Sequence, residues 1–361
     1  MKRFAASTVA IVALAMASTT ALATPRTAEE IVGDYQAVAN PPLDRSKTED
    51  QAYVKQYMSE RQAAELKRAA LAKELFELDK GHAMLPAQMT ARWRVMATGA
   101  DSATVKDEIA AVIKVGGPEP LVVAARSANT MLAFRRMQAG RGTFDDAKAA
   151  VEELVANHPK DPQSPAALAQ LASMADDATV RGAVEARLLA EYPDSRATKF
   201  VKGDIRRRDG VGKPFELSFT EAITGQNVSI ESLKGKVVVI DFWATWCGPC
   251  VAEMPKLKSL YADWKDKGVE FIGVSLDQPE DKGGLTALKA YVTKESLAWP
   301  QYYQGNFWDS DFSVSWGVNS IPAVFVVDAD GNLHSTDARG KLEEIVPALL
   351  ARRDAAAKPA N

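Results

Sequence analysis

The segment VVVIDFWATWCGPC, residues 237–250, sets the tightest limit on what the chain can fold into. It begins with a continuous run of β-branched and aromatic residues, which predicts a strand buried on both faces. Two cysteines follow at once, and Pro249 between them suits the first turn of a helix. The cysteines are therefore expected at the junction between a buried strand and a helix, as in an α/β fold.

Cys247 and Cys250 are the two cysteines of the chain. A disulfide between them closes a loop too short to stabilise the fold much, so a chemical role is the stronger interpretation. The unpaired N–H groups and partial positive charge of a helix N-terminus favour the thiolate of Cys247, which is the nucleophile in disulfide exchange. Cys250, one turn later, is placed to attack the mixed disulfide that Cys247 forms with a substrate.

Two acids are candidates for handling the protons of this chemistry. Asp241 lies in the apolar strand, where an unpaired carboxyl group tends to stay protonated near neutral pH. Glu253 follows Cys250 by three residues and shares its helix face. Either can serve Cys250 as a general acid or base. The alternatives remain open: Asp241 as a hydrogen-bonded core acid, and Glu253 as an ordinary surface charge.

Two other uses of cysteine fit the sequence poorly. A zinc site needs two further ligands, whereas His82, His158 and His334 are isolated from one another. A peroxidase of the peroxiredoxin kind needs a Pro-x-x-x-Thr-x-x-Cys pattern, which neither cysteine has. We therefore expect no metal, and no cofactor other than a redox-active disulfide between Cys247 and Cys250.

The sequence pattern changes after Arg208. Residues 24–208 are rich in Ala, Leu, Glu, Lys and Arg at helical spacing, and Ser46 followed by Glu49 predicts the capped start of a long helix. LVANHPKD at 154–161 and LLAEYPDS at 188–195 are 34 residues apart, the period of tetratricopeptide helical pairs. This half is predicted to be all-α, either with tetratricopeptide-like hairpins or as an irregular bundle.

Strands and helices alternate after residue 214, which predicts an α/β domain with a mixed central sheet flanked by helices. The expected strands are at Phe215–Phe219, Val228–Ile230, Lys236–Phe242, Phe271–Leu276, Ala323–Val327 and from Leu333. The expected helices follow the cysteines, cover about Gly284–Lys294 and run from about Lys341 to Ala351.

The first residues have the features of an export signal. A basic start at Lys2 and Arg3 precedes an apolar stretch, and Ala21-Leu22-Ala23 fits a signal peptidase site. We expect cleavage after Ala23 and a periplasmic mature protein without stable membrane insertion; an uncleaved anchor is the alternative. The formal net charge of −3 gives no attraction for nucleic acid or an anionic lipid surface.

The motif FWATWCGPC resembles thioredoxin. The wider frame, from VGKPFELSF through FIGVSLD to VNSIPAVFVVDADG, is similar to the exported TlpA-like and ResA-like thiol–disulfide oxidoreductases. The resemblance covers about Val211–Ala351 and implies a thioredoxin-like fold with Cys247 as the attacking thiol and Cys250 as the resolving thiol. The domains expected from it are a signal peptide (1–23), a helical domain (24–208), a linker (209–214), a thioredoxin-like domain (215–355) and a flexible tail (356–361).

The same resemblance assigns further residues. Pro255 matches a helix-kinking proline, and Ile321-Pro322 matches a loop with a cis peptide bond whose backbone pairs with the substrate. Asp241 matches the buried acid of ordinary thioredoxins, whereas Glu253 matches the acid of the TlpA-like and ResA-like group. The residues expected to contact the substrate are Trp246, Gly248, Pro249, Ile321 and Pro322.

The predicted function is reduction of disulfides in other proteins, with electrons from a membrane thiol–disulfide transporter that the resemblance implies. Gly248 and Pro249 between the cysteines, with no histidine, resemble reducing members of the superfamily. Two alternatives remain open. The helical domain can be the main functional module, which binds a partner or acts as a scaffold, or the protein can be a disulfide oxidant or isomerase.

Overall fold

A computed structural model describes residues 26–97 and 102–357. The predicted signal peptide, residues 1–23, and the last four residues of the predicted tail lie outside the described residues. Within the described ranges, no helix has the length and apolar character needed to cross a membrane.

The chain divides into two compact units, Met1–Thr143 and Phe144–Asn361. The change from helical to α/β sequence comes later, after Arg208, so the second unit contains helices as well as the sheet. The domain boundaries drawn from the sequence stay a prediction.

The described part of the first unit is helical. Its helices are α1 (Ala28–Ala37), α2 (Gln51–Leu78), α3 (Leu85–Met96), α4 (Ser102–Val115) and α5 (Glu119–Gln138). Their core is formed by side chains such as Leu75, Met89, Trp93 and Ile109, all almost fully buried.

The long helix begins later than the sequence predicts. Asp50 caps α2 by accepting hydrogen bonds from the N–H groups of Ala52 and Tyr53, at 2.8 and 3.2 Å. Ser46 lies in a separate short 3-10 turn that Asp44 caps, so the capping box expected at Ser46 is wrong. An Asp directly before the helix offers the same acceptor as a Ser, and it stands closer to the residues that continue as a helix.

In the second unit, four helices precede the sheet. They are α6 (Phe144–Asn157), α7 (Gln163–Ser173), α8 (Ala178–Glu191) and α9 (Arg196–Gly210). The two similar segments found in the sequence fall at the ends of α6 and α8, each followed by a short turn into the next helix. The helical region is confirmed, while its tetratricopeptide-like character stays a prediction.

The α/β part contains a two-stranded hairpin and a five-stranded mixed sheet. The strands are β1 (Ser218–Thr220), β2 (Asn227–Ser229), β3 (Val237–Trp243), β4 (Val269–Ser275), β5 (Gln301–Tyr303), β6 (Ala323–Val327) and β7 (Leu333–Ser335). The sheet order is β5-β4-β3-β6-β7, in which β3, β4 and β5 are parallel and β6 is antiparallel to both β3 and β7. Every residue of the central strand β3 is buried, as its sequence predicts.

Four helices accompany this sheet, and the thioredoxin-like fold class is confirmed. They are α10 (Gly248–Trp264), α11 (Gly284–Glu295), α12 (Asp311–Ser315) and α13 (Leu342–Ala356). Strand β5 and helix α12 are not predicted from the sequence. Both are very short, so neither contains a full hydrophobic period.

Helix α9 packs very closely on the segment that follows α12. A Cβ atom added at Gly203 would lie 2.2 Å from the backbone nitrogen of Gly317 and 2.5 Å from the carbonyl oxygen of Val314. The Arg206 guanidinium group stacks over the Trp316 ring, 4.2 Å from its centroid. Glycine is therefore required at position 203 for α9 to reach the α/β part.

Replacing Gly203 with alanine is expected to lower the free energy of unfolding by ~2 kcal/mol, because the added methyl group meets backbone atoms that cannot turn away. Denaturant unfolding of the oxidised protein measures this. Gly182→Ala in α8 is the matched control: nothing lies within 4 Å of its added Cβ, so the change should be neutral or stabilising. Equal effects of the two substitutions would contradict the close packing.

Candidate active site

The two cysteines lie where β3 gives way to α10, as the sequence predicts. Cys247 is the N-cap of α10, and Cys250 belongs to its first turn. They form a disulfide with Cα atoms 5.3 Å apart, and Cys247 Sγ accepts a hydrogen bond from the Cys250 N–H at 3.2 Å. A thiolate formed at Cys247 by reduction would therefore face the positive end of the helix dipole.

The residues between the cysteines are open to solvent, whereas the sulfurs are not. Gly248 and Pro249 are exposed, while Cys247 and Cys250 are 5% and 2% exposed in the oxidised state. Pro249 occupies the first turn, and Pro255 lies within the helix, as the resemblance implies. In the oxidised state, the exposed surface at the start of α10 is therefore formed by Gly248 and Pro249 more than by the cysteines.

Aromatic side chains line one side of this end. Trp246 is 43% exposed, although its indole N–H donates to the carbonyl oxygen of Leu276 at 3.2 Å. Its ring contacts those of Phe307 and Trp308, with centroids 5.0 and 5.8 Å away. Phe307 and Trp308 were not among the predicted site residues, because aromatic residues in a segment such as GNFWDSDF more often pack in a core or at its rim than line a surface near an active site.

Pro322 lies at the same end of the sheet. The Ile321–Pro322 peptide bond is cis, as the resemblance implies. Strand β6 starts at the next residue, Ala323, which pairs with Phe242 near the end of β3. The sheet therefore places Ile321 and Pro322, both half-buried, beside the strand end that leads to the cysteines.

Asp241 is buried in the middle of the sheet. It is 3% exposed and lies between Gly273 of β4 and Val324 of β6. The pKa of its carboxyl group is raised to about 7, mainly by burial and further by the negative charge of Glu253, while the positive charge of Arg339 opposes this rise. Asp241 thus has a proton to give or take near neutral pH, the property expected of it.

Glu253 is half-buried on α10 and forms an ion pair with Arg339. The Arg339 Nε donates to Glu253 Oε1 at 2.9 Å, and its Nη2 donates to the same oxygen. The pairing raises the pKa of the Arg339 guanidinium group above its usual range, so Arg339 stays charged. Glu253 and Asp241 therefore belong to one electrostatic group that includes an arginine which the sequence analysis did not find.

A cavity of about 430 Å³ opens beside this group. Glu253, Arg339 and Val324 line it, together with apolar side chains of α10 such as Leu257. Val324 is also the partner of Asp241 in the register of β3 and β6. The cavity is therefore lined both by the ion pair between Glu253 and Arg339 and by Val324, the neighbour of Asp241 in the sheet.

Asp277 is a second residue that the sequence analysis did not assign. It is 1% exposed and accepts hydrogen bonds from the Thr245 N–H at 3.1 Å, the Thr245 hydroxyl at 2.6 Å and the Ser275 hydroxyl at 2.7 Å. Its carboxyl group thereby fixes the loop just before Cys247. An acid two residues after the buried strand β4 was the signal in the sequence that could have found it.

Replacing Arg339 with glutamine is expected to shift the titration of Asp241 upward from about 7, because a nearby positive charge would be lost. The pH dependence of Cys247 alkylation in the reduced protein, together with carboxyl ¹³C shifts, measures this. Lys256→Gln is the matched control, since Lys256 lines the same cavity but pairs with Glu343. An unchanged Asp241 titration in Arg339→Gln would contradict the electrostatic coupling.

Among residues 26–97 and 102–357, no group of three or more His, Cys, Asp or Glu side chains is arranged to hold a metal ion.

Comparison with known proteins gives relatives for this part of the chain. The model of the AhpC/TSA family matches residues 211–336. Thiol-disulfide oxidoreductase ResA of Oceanobacillus iheyensis is 32% identical over 147 residues, which are 40% of this chain and 68% of the relative. ResA of Bacillus thuringiensis is 32% identical over 123 residues, 34% of this chain and 66% of the relative. The chain thus spans about two thirds of the length of these relatives.

A solved structure of a putative thiol-disulfide oxidoreductase from Bacteroides vulgatus is also similar. It is 33% identical, with a TM-score of 0.33, and the match covers 38% of this chain and 88% of that one. Residues 211–336, which the AhpC/TSA family model matches, contain the disulfide, Asp241 and the Ile321–Pro322 loop.

Proposed function

Because the chain belongs to the ResA family of thiol–disulfide oxidoreductases through its C-terminal part, we propose that it reduces disulfide bonds in other proteins. The observation that carries the proposal is the position of Cys247 as the N-cap of α10, with its sulfur facing the N–H of Cys250. This position stabilises a thiolate at Cys247, the nucleophile that disulfide exchange requires.

The reaction has two steps. The Cys247 thiolate attacks one sulfur of the substrate disulfide, that S–S bond breaks, and the first substrate thiolate leaves. Cys250 then loses its proton and attacks the Cys247 sulfur, which forms the Cys247–Cys250 disulfide and releases the second substrate thiolate. The substrate gains two electrons, its two thiolates take up one proton that comes from Cys250 and one from the solvent that received the proton of Cys247, and the enzyme is left oxidised, as in the structure.

Asp241 accepts the proton of Cys250 in the second step. A group with a pKa of about 7 is half ionised near neutral pH, so it can take a proton and return it within one cycle. Glu253 and Arg339 adjust this pKa through their charges. In this proposal Glu253 acts on Asp241, and the proton itself passes through Asp241.

Substrate binding in the proposal uses the end of α10 and the neighbouring loops. The exposed face of Trp246 provides apolar contact for the residues that flank the substrate disulfide. Gly248 and Pro249 present little side chain, and the backbone of Ile321 and Pro322 pairs with the substrate chain. The aromatic contacts of Trp246 with Phe307 and Trp308 hold that surface in place.

We further propose that the protein works in the periplasm after cleavage behind Ala23, with a membrane thiol–disulfide transporter as electron donor. An oxidising compartment does not return electrons to Cys247 and Cys250, so a dithiol donor is required. Mass spectrometry of the mature protein tests the export step. The proposal predicts an N-terminus at Thr24, and retention of Met1 would contradict it.

Insulin reduction with dithiothreitol as donor tests the activity itself. The oxidised protein is expected to accelerate precipitation of the insulin chains well above the rate with dithiothreitol alone. Equilibration with glutathione buffers should give a potential nearer to thioredoxin's value, about −270 mV, than to that of the oxidant DsbA, about −120 mV. A potential near the DsbA value would identify an oxidant instead of a reductase.

A further inference from the structure

A second cavity lies in the first unit, entirely among its own helices. It has a volume of about 750 Å³, within the usual range of ligand sites. Helix α2 forms one wall and α3 the other. The α2 residues in the wall are three or four positions apart, so they lie on one face of that helix. We call this cavity the α2–α3 cleft; its lining residues used below are Met58, Arg61, Glu65, Arg68, Gln88, Arg92, Arg94 and Val95.

The cleft exists because α2 is much longer than α3. At 1.5 Å per residue α2 extends for about 42 Å and α3 for about 18 Å. Arg92 of α3 donates to the carbonyl oxygen of Ala69, in the second half of α2, so α3 covers that half. The first half of α2 continues beyond it, and Met58 there is 55% exposed.

The cleft carries an excess of positive charge. Arg92 and Arg61 are neutralised by Glu108 and Glu65. Arg68 donates instead to two neutral oxygens, those of the Asn40 side chain and the Val38 backbone.

Arg94 is exposed at the edge of the cleft. It forms no ion pair within the part of the chain that the structure describes. Arg68 and Arg94 therefore leave two positive charges without a carboxylate, and an anionic group is the complementary partner.

A buried amide restricts the partner further. Gln88 lines the cleft, is 3% exposed, and its Oε1 has no hydrogen-bond partner. Its Nε2 has only the Met84 sulfur, 3.9 Å away. Since an unsatisfied buried acceptor is costly, an N–H donor from a ligand is favoured here.

We propose that the α2–α3 cleft binds an acidic segment of a partner polypeptide. The carboxylates of such a segment pair with Arg94 and Arg68. Its backbone supplies both N–H and C=O groups, so it satisfies the amide of Gln88 in either orientation, and its apolar atoms cover Met58 and Val95. An inorganic anion such as phosphate has no apolar atoms to cover Met58 and Val95.

Fluorescence anisotropy with the full chain tests the proposal. The probe is a fluorescein-labelled peptide of alternating Glu and Ala, with the Lys–Ala peptide of equal length as its comparison. The acidic peptide should bind, less tightly as salt rises, and the basic peptide should not. Arg94→Gln and Gln88→Met should each weaken binding about tenfold. Arg94 is exposed, so that substitution leaves the fold intact.

Arg45→Gln is the matched control, because Arg45 is an exposed arginine of the same unit outside the cleft. It should leave binding unchanged, and all variants should retain wild-type insulin reduction. Equal binding of wild type and Arg94→Gln, equal weakening by Arg45→Gln, or stronger competition by inorganic phosphate than by chloride at equal ionic strength would each overturn the proposal. None of these outcomes depends on the redox function of the second unit.

Discussion

Replacing Cys247 with serine is expected to lower the rate of insulin reduction at least about 10³-fold, to the level of dithiothreitol alone. The serine hydroxyl has nearly the same size as the thiol but does not ionise near neutral pH, so the nucleophile is lost while the packing at the start of α10 is kept. The measurement is the initial rate of insulin precipitation at fixed dithiothreitol.

Cys250→Ser is the informative comparison for this loss. It should also stop turnover, but reduced Cys247 should still react with a small disulfide such as dithionitrobenzoate in a single event. A Cys247→Ser protein, with only Cys250 left, should react much more slowly, because Cys250 is the more buried sulfur and lies inside the helix. Fast reaction of Cys250 alone would reverse the assigned roles.

The free energy of unfolding of the wild type is expected to fall by ~4 kcal/mol with rising pH because folding raises the Asp241 pKa from its ordinary 3.8 to about 7. Asp241→Asn is expected to remove this pH dependence. An acid whose pKa is raised by folding binds its proton more tightly in the folded state. Its stabilising contribution is therefore fully present below 3.8 and is lost as the pH rises through about 7.

Denaturant unfolding of the oxidised wild type and Asp241→Asn, at about pH 4 and about pH 8, measures this effect. The stability difference between the two proteins should change by most of that amount, with the Asn variant gaining relative to wild type at high pH. Asp263→Asn, an exposed acid on α10, should show no such change. The same difference at both pH values would contradict a buried, protonated Asp241.

The position of the candidate site in the fold could be predicted from local sequence. The buried strand, the cysteine spacing and Pro249 together fix a strand-to-helix junction, and the structure places Cys247 at the N-cap of α10. The buried position of Asp241 followed from the same apolar strand. These predictions succeed because each depends only on residues close together along the chain.

The parts that could not be predicted depend on contacts between distant residues. Arg339 reaches Glu253 across 86 positions of the chain, and Phe307 reaches Trp246 only because α12 and its neighbours fold back to this end of the sheet. The α2–α3 cleft likewise follows from the packing of two helices of unequal length. Hydrophobic periodicity in the sequence predicts which helices and strands form, whereas tertiary packing decides which of their faces come into contact.

The most direct test of the central claim is a trap of the reaction intermediate. Cys250→Ser, expressed in the native compartment and isolated without reductant, should carry partner proteins joined to Cys247 by mixed disulfides, which mass spectrometry identifies. The Cys247→Ser/Cys250→Ser protein is the control and should carry none. Adducts specific to Cys250→Ser are the predicted result, and their absence, or the same partners on the double variant, would contradict disulfide reduction through Cys247.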